Sequence, residues 1–244
     1  MPGLYEFGLY DVMTQSLPIS RRATKCLVPG ASAIYLCNEG TGTTLTDRSG
    51  NGNHGTFGAG AAAPTWTQYG LSFDGSQFVT LPDAVGANLS SAFTIVAVVR
   101  PTDTSAVRTV ISIDYGNVCN LSLTNNKSIL YAPSSVNGYL YSAEATVPDA
   151  TWVSVAFSNE WGKAITAYVN GRRSAAGPSA GTYLTPGAGL CYIGKKEGGT
   201  PQFYLGEIAA IGVWPGRFFS DAEHEQAHRA LSSLVAPRGI DLPK

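Results

Sequence analysis

The sequence predicts an all-β fold in which two antiparallel sheets pack face to face, followed by a short C-terminal helix. Three observations indicate this fold. Short segments that alternate apolar and polar residues recur along the chain, as expected for half-buried strands. The 28 glycines and 14 prolines are scattered between these segments, which is typical of tight turns. A chain of 244 residues, 44% of them hydrophobic and 14% charged, is also long enough to bury one sizeable core.

The clearest strands are predicted over residues 93–100 and 152–158. In residues 93–100 every odd position is apolar, while the even positions mix Val96 and Val98 with polar residues. Residues 152–158 alternate in the same way, with apolar side chains at the inner odd positions. Side chains of a strand point alternately to its two faces, so one face of each segment must meet the core.

Further strands follow from the same pattern and from the turns between them. Residues 165–169 alternate and run directly into Asn170-Gly171, the strongest short signal for a β-hairpin. Glycine, proline or asparagine separates the remaining candidates. These additional strands are predicted over residues 31–36, 107–113, 118–123, 190–193 and 203–213.

One segment is predicted to be helical. Ser220-Asp221-Ala222-Glu223 has the form of a capping box, in which a hydroxyl and a glutamate satisfy backbone N–H groups at the start of a helix. Apolar residues follow at helical spacing, namely Ala227, Ala230, Leu231 and Leu234.

Three motifs resemble those of the laminin G-like, or concanavalin A-like, jelly-roll family. They are Asp47-Arg48-Ser49-Gly50-Asn51-Gly52-Asn53-His54-Gly55, then Leu71-Ser72-Phe73-Asp74-Gly75, then Tyr168-Val169-Asn170-Gly171-Arg172. The resemblance covers residues 31–235 and implies an antiparallel jelly-roll sandwich. It leaves residues 1–30 as an N-terminal arm or extra strand and residues 236–244 as a C-terminal tail. Members of this family are usually binding or structural modules, although a fold alone does not imply an activity.

Two enzyme signatures occur in contexts that do not support them. His224-Glu225-Gln226-Ala227-His228 matches the H-E-x-x-H zinc motif, but a catalytic zinc needs a third ligand and the chain ends soon afterwards. We therefore interpret it as the solvated polar face of a helix. Gly50-x-Gly52-x-x-Gly55 matches a dinucleotide fingerprint, but no helical pattern follows it.

The same reasoning argues against a glycosidase or a serine-type hydrolase. A glycosidase of this shape needs paired carboxylates at the scissile bond, and related enzymes carry them as E-x-D-x-x-E on one strand. No such triplet occurs in this sequence. Of the three histidines, His54 alone lies near the glycine-rich loop, so a catalytic triad has little support. The sequence predicts a protein that is not an enzyme.

The family resemblance raises calcium as a possible cofactor. Related sandwiches hold calcium with carboxylates and carbonyl oxygens near a sheet rim, and Asp47, Asn51 and Asp74 resemble such ligands. The closing strand of calcium-binding relatives often carries acids, whereas residues 209 and 210 are both alanine here. The alternative is that Asp47 accepts hydrogen bonds within a turn and that Asp74 is a hairpin residue.

Charge, hydropathy and cysteine content limit the partners and the compartment. A net charge of −1 gives no broad basic field for nucleic acid or an anionic membrane. No apolar run is long enough to span a bilayer, and the first residues lack the pattern of a secretory signal. We therefore expect assembly in a cytoplasm, with Cys26, Cys37, Cys119 and Cys191 as free thiols.

The N-terminal segment is unexpectedly apolar. Residues 1–30 are predicted to be either an extra strand of the sandwich or an arm that docks on a neighbouring subunit, for example by strand addition. The docking residues of such an arm would be Leu4, Tyr5, Phe7, Leu9 and Tyr10.

The function predicted from sequence is structural attachment within a bacteriophage virion, either as head decoration or as a tail or baseplate component. Its partners would be other virion subunits, in a homo-oligomer or on a capsid or tail protein, after assembly in the host cytoplasm. The alternative is a carbohydrate-binding adhesin for a cell-surface glycan, in which exposed aromatic rings stack on sugars. The aromatic candidates are Trp66, Tyr69, Tyr139, Tyr141 and Trp161.

Overall fold

The computed structural model describes residues 27–87, 89, 91–113, 119–131, 139–142, 146–179, 190–196 and 202–244. Within these residues, three short 3₁₀ turns lie at Gly60–Ala62, Asp83–Gly86 and Ala236–Arg238, and one α-helix, α1, spans Asp221–Val235. The strands in chain order are β1 (Ala33–Tyr35), β2 (Thr44–Leu45), β3 (Gly55–Phe57), β4 (Thr65–Trp66), β5 (Leu71–Asp74), β6 (Val79–Leu81), β7 (Ala92–Pro101), β8 (Arg108–Ile113), β9 (Cys119–Thr124), β10 (Lys127–Tyr131), β11 (Tyr139–Tyr141), β12 (Val153–Glu160), β13 (Ala164–Val169), β14 (Arg172–Pro178), β15 (Cys191–Ile193), β16 (Lys195–Lys196), β17 (Gln202–Phe203) and β18 (Leu205–Pro215).

The described strands form two large antiparallel sheets and one small one. The first sheet has the order β14-β13-β12-β7-β18-β5-β4, with β1 also paired to β18. The second has the order β11-β10-β9-β8-β15-β6-β3-β2, and β16 pairs only with β17 in the third. This arrangement confirms the predicted all-β sandwich with a C-terminal helix. It also shows that the predicted strand 203–213 is divided between β17 and β18.

The main core lies between the two large sheets. The inward face of β7 carries Phe93, Ile95, Ala97 and Val99, which are fully buried against residues of the second sheet such as Ile111. The inner positions predicted for β12 are buried in the same cluster. The alternation read from the sequence therefore identifies the core face correctly.

A second apolar cluster covers the outer face of the first sheet. Val96 and Val98 of β7 pack beneath α1, where they meet Ala227 and Leu231. The cluster also includes Leu27 and Val28 from the start of the described chain and Ile240 and Leu242 from its end. Because α1 covers this face, both faces of β7 are apolar, unlike the half-solvated strand of a simple sandwich.

The C-terminal segment 236–244 is held against this face by Arg238. Its guanidinium donates hydrogen bonds to the carbonyl oxygens of Leu36, Tyr69 and Ala209, at 3.0, 2.7 and 3.1 Å. Burial lowers the pKa of this guanidinium. The tail is thus part of the packed domain.

Cys37, Cys119 and Cys191 are buried and form no disulfide with one another, in agreement with the predicted thiols, and Cys26 lies outside the described residues. Burial raises the pKa of the Cys37 and Cys119 thiols, so both stay protonated at neutral pH. Of the described helices, none combines the length and the apolarity that a membrane-spanning segment needs.

Candidate functional site

Helix α1 starts with the predicted capping box. The Ser220 hydroxyl oxygen accepts a hydrogen bond from the Glu223 backbone N–H, and the Glu223 carboxylate accepts one from the Ser220 backbone N–H. Arg217 forms an ion pair with the same carboxylate. These contacts fix where the helix begins and therefore how its side chains meet the sheet.

The two histidines of the helix point towards the sheet. His224 is 2% exposed, its Nε2 lies 2.8 Å from the Ser158 hydroxyl oxygen, and its ring stacks on Tyr168. His228 is also buried, with Nδ1 2.7 Å from the Ser154 hydroxyl oxygen and Nε2 2.8 Å from the Pro243 carbonyl oxygen. The interpretation of His224–His228 as a solvated polar face is therefore wrong, because the histidines belong to the buried side of an amphipathic helix.

This geometry also determines the protonation of both rings. The Pro243 carbonyl can only accept, so His228 carries its proton on Nε2 and accepts from the Ser154 hydroxyl at Nδ1. Burial lowers the pKa of His224 to about 3 and also lowers the pKa of His228. Both imidazoles are neutral at pH 7, and both already use ring nitrogens in bonds to the sheet or the tail.

The motif does not assemble a metal centre in the part of the chain that the structure describes. No group of three or more histidine, cysteine, aspartate or glutamate side chains there could hold a metal ion. Glu225, the acid of the H-E-x-x-H pattern, is exposed and pairs with Arg229 at 2.5 Å.

A groove of about 970 Å³ lies between α1 and the turn that joins β13 to β14. We call it the helix groove. Its turn side consists of Asn170, Gly171, Arg172 and Arg173, and its helix side includes Asp221, Glu225, His228, Arg229 and Ser232. Lys244 closes one part of it, so the sandwich, the helix and the tail all contribute.

Gly171 permits the close approach between the turn and the helix. Its φ is +73°, a left-handed conformation that favours glycine, and Asn170 beside it has φ 50°. A Cβ atom at residue 171 would lie only 2.9 Å from the His228 Cβ. The side-chain oxygen of Asn170 accepts from the Ser154 backbone N–H at 3.0 Å, which ties the turn to the sheet. The predicted Asn-Gly hairpin is confirmed, and it positions one wall of the groove.

Ion pairs organise the charges of the groove. Arg173 donates from Nε and Nη2 to Asp221 Oδ1 at 3.0 and 2.6 Å. The Tyr168 hydroxyl donates to the same oxygen at 2.5 Å. These hydrogen bonds lower the pKa of Asp221, first through Tyr168 and then through Arg173. Asp221 therefore remains a carboxylate across the physiological range.

The outer face of the second sheet carries a different polar surface. Thr109, Ser112, Asn120 and Ser122 are buried there, and Ser112 donates to the carbonyl oxygen of Lys195 in β16 at 2.8 Å. Among the described residues, the buried Oδ1 atom of Asn120 has no hydrogen-bond partner. Sequence alternation alone did not single out this surface.

The predicted calcium candidates serve loop structure. The Asp47 carboxylate is 6% exposed and accepts from the backbone N–H groups of Ile34, Ser49 and Asn53 at 2.8–3.0 Å. Asp74 accepts from the Ser76 backbone and hydroxyl. The Asn51 side-chain amide donates to backbone carbonyls of residues 31 and 32. Asp47 is thus a turn acceptor, and calcium binding stays a prediction.

The predicted stacking residues lie in several places. The indole N–H of Trp66 donates to the Gly42 carbonyl, that of Trp161 donates to the Leu89 carbonyl, and both rings are half-buried against the main core. The backbone of β11 places Tyr139 opposite Tyr131 and Tyr141 opposite Ile129. Trp66 and Trp161 thus bond to different parts of the chain, and a role of the candidates in stacking stays a prediction.

Tyr69, the remaining aromatic candidate, lies in a different surface group. Its ring centroid is 6.1 Å from that of Trp152, and the Arg100 guanidinium lies over both rings. The Arg100 side chain also pairs with Glu207, which fixes it in place. The arm residues Leu4, Tyr5, Phe7, Leu9 and Tyr10 lie outside the described residues.

Sequence reasoning did not find the helix groove. The available signals were Arg172-Arg173 directly after the Asn-Gly turn and the charged residues of the helix. These segments are far apart in the chain, and only the fold brings them together.

Comparison with known proteins agrees with this architecture. A family model described as the concanavalin A-like lectin/glucanases superfamily matches residues 73–223, in agreement with the laminin G-like motifs. No curated protein matched the sequence.

Several solved binding domains share the fold. The botulinum neurotoxin serotype G binding domain aligns with TM-score 0.64 and 16% identity, over 83% of this chain and 51% of that one. Domain 4 of AbnA, a GH43 extracellular arabinanase from Geobacillus stearothermophilus, in complex with arabinotriose, aligns with TM-score 0.62 and 18% identity, over 82% and 98%. The binding domain of Paraclostridial Mosquitocidal Protein 1 aligns with TM-score 0.61 and 11% identity, over 82% and 52%. The chain spans about half the length of these toxin binding domains, and at these identities the likeness concerns the fold alone.

Proposed function

Because the chain belongs to the concanavalin A-like lectin/glucanase superfamily, we propose that it is a non-catalytic attachment module that binds a glycan in the helix groove. The observation that carries this proposal is the groove itself. Its volume of about 970 Å³ is comparable to that of small-molecule binding sites in proteins, and its lining is rich in hydrogen-bonding side chains. Sugars present many hydroxyl groups, and a site of this composition can pair with them.

The groove is also rigidly supported, which favours binding. Its floor includes the neutral His228, whose ring is held at both nitrogens. Its wall at Arg173 is held by a paired contact to Asp221. Side chains that are already fixed lose little conformational entropy when a ligand binds.

The comparisons support the same class of function. One similar structure is an arabinanase domain in complex with arabinotriose, and the similar toxin structures are binding domains. The likeness to the arabinanase domain covers 98% of that domain and 82% of this chain.

The carboxylates of the groove argue against glycoside hydrolysis there. A glycosidase needs one carboxylic acid that stays protonated to donate to the leaving group. Asp221 has a lowered pKa because Tyr168 and Arg173 donate to it, and Glu225 is paired with Arg229. Neither is arranged as a proton donor, so we propose binding without bond cleavage.

We retain the virion as a proposed setting for this attachment. A virion component that recognises a host surface glycan would unite both functions predicted from the sequence. Support for this setting is the family resemblance and the apolar segment 1–30. Residues 27 and 28 at its end pack in the outer cluster, and the Trp214 indole N–H donates to the Val28 carbonyl at 2.6 Å. Deleting residues 1–26 should leave the sandwich folded and abolish incorporation into a particle, and a truncated chain that is incorporated at full level would contradict the arm hypothesis.

Glycan binding can be tested with the labelled full chain on a glycan array. The blocking variant is Ala222→Trp, which places a large side chain at the exposed edge of the groove. The matched control is Ala61→Trp, an exposed alanine in the Gly60–Ala62 turn that does not line the groove. We expect the wild-type chain and the control to bind the same glycans. The blocking variant should not bind these glycans, although its melting temperature should equal that of the wild-type chain. An array without any bound glycan, or equal binding by Ala222→Trp, would show that the proposed function is wrong.

A further inference from the structure

The charges of the helix groove are not balanced. Four cationic side chains and two carboxylates line it. Two of the cations are matched, because Arg173 pairs with Asp221 and Arg229 pairs with Glu225. Among the described residues, Arg172 and Lys244 have no side-chain carboxylate as a partner, so the side chains that line the groove carry an excess of positive charge in a protein of net charge −1.

The two unmatched cations lie where two cavities meet. A second cavity of about 430 Å³ continues from the helix groove along β14, lined in part by Thr146, Ser174 and Pro243. Arg172, Arg173 and Lys244 line both cavities, as does Asn170. A ligand that extends through both must therefore pass these cations.

Arg172 is placed to meet such a ligand. It follows directly after the Asn170-Gly171 turn, and its backbone pairs with Val169 in the first sheet, so its Cα position is fixed. One guanidinium nitrogen, Nη2, donates to the Lys244 carbonyl oxygen at 3.1 Å. A guanidinium has further N–H donors in a planar fork, which match a carboxylate or sulfate group.

We propose that the helix groove selects an anionic sugar chain, in which the carboxylate or sulfate of one residue contacts Arg172 and Lys244. This inference rests on the proposed function, because it names the class of glycan that the same site binds. The neutral ion pairs and the Ser232 hydroxyl would face the uncharged hydroxyl groups of neighbouring sugar residues. The two connected cavities favour an oligosaccharide over a free anion.

The test uses the full chain and glycans in matched pairs that differ only in charge. The pairs are sialylated and desialylated glycans, oligogalacturonide and its methyl ester, and sulfated and desulfated oligosaccharides. We expect at least one acidic member to bind about tenfold or more tightly than its neutral counterpart, with affinity that falls as salt is added. The first two pairs test carboxylates, and the third tests sulfates.

Two variants connect the charge preference to the groove. Arg172→Gln and Lys244→Gln should each weaken binding of the acidic glycan by about tenfold, which is the usual effect of losing a hydrogen bond to a charged group. Lys163→Gln removes the same charge from an exposed turn between β12 and β13, outside the groove, and should change nothing.

The outcomes separate the two proposals. Equal binding of acidic and neutral members that Ala222→Trp abolishes would overturn the anionic preference and leave glycan binding in the groove intact. Acidic binding that Arg172→Gln and Lys163→Gln weaken equally would also overturn it, because the effect would then be one of general charge. An absence of binding to every glycan would overturn both proposals.

Discussion

The imidazole of His224 stacks on the phenol ring of Tyr168, with ring centroids 3.5 Å apart and an angle of 18° between the planes. The helix thereby contacts the sheet through a flat ring pair and through the bond from His224 to the Ser158 hydroxyl. The ring is buried at this contact, and burial favours its neutral form. It links the protonation of one side chain to the attachment of α1.

We therefore expect the protein to lose stability as the pH falls below about 6.5, the ordinary pKa of histidine. Burial lowers the His224 pKa to about 3, an effect that Arg173 reinforces and that Asp221 and Glu223 oppose. Because the folded pKa is below the unfolded one, the stabilisation is fully present above pH 6.5. It is lost progressively down to pH 3, by at most about 1.4 kcal/mol per pH unit for each such histidine.

Urea unfolding at pH 7.5 and pH 5.5 measures this loss before most carboxylates titrate. The variant His224→Asn removes the titrating ring and should depend less on pH over that interval, although it is less stable at pH 7.5. An equal pH dependence in the two proteins would contradict the assignment.

Asp47→Ala should destabilise the protein by about 2 kcal/mol or more, because it leaves one buried and two partly buried backbone N–H groups without this acceptor. The donors are in β1 and in the glycine-rich loop, so the carboxylate joins the two. Asp74→Ala is the matched control, since its acceptor bonds lie in an exposed turn and should be worth less than about 1 kcal/mol. Thermal or urea unfolding measures the loss of stability in each variant. Equal losses in Asp47→Ala and Asp74→Ala would mean that the Asp47 carboxylate does not link β1 to the glycine-rich loop.

Gly171→Ala should cost more stability than Gly216→Ala. Both glycines have positive φ, +73° and +70°, so each substitution pays a similar backbone cost of roughly 1 kcal/mol. Only residue 171 has a neighbour in the way, the His228 Cβ at 2.9 Å, whereas nothing lies within 4 Å of a Cβ at residue 216. The difference between the two unfolding free energies gives the cost of the steric contact between a side chain at residue 171 and His228. No difference would show that the helix can shift away from residue 171 without loss of stability.

Arg238→Met should loosen the C-terminal segment. The variant keeps much of the apolar stem but removes the donors to several backbone carbonyl oxygens, at a cost of about 2 kcal/mol. Arg48→Met removes a half-exposed arginine whose one ion pair is with Glu39, and should cost less than about 1 kcal/mol. Hydrogen exchange at residues 239–244 reports the effect directly, and unchanged protection in Arg238→Met would mean that Ile240 and Leu242 hold the tail unaided.

Local patterns in the sequence were sufficient for the strands, one turn and the start of the helix. The alternation in residues 93–100 and 152–158, the Asn170-Gly171 pair and the Ser220–Glu223 capping box each depend on neighbours a few residues away. Such features express backbone and side-chain preferences that hold wherever the segment lies. With the family motifs, they were enough to predict an all-β sandwich with a C-terminal helix.

Only the tertiary structure decided what these elements contact. The H-E-x-x-H segment looked like the solvated face of a terminal helix, yet its histidines bond to serines of β12, 66 and 74 positions earlier in the chain. The second face of β7 is apolar because α1 and both ends of the described chain pack on it. The helix groove likewise joins a hairpin turn, one side of a helix and the tail. Sequence periodicity indicates which residues share a face of a strand or helix. It does not indicate what packs on that face, because burial depends on distant segments of the chain that come to cover it.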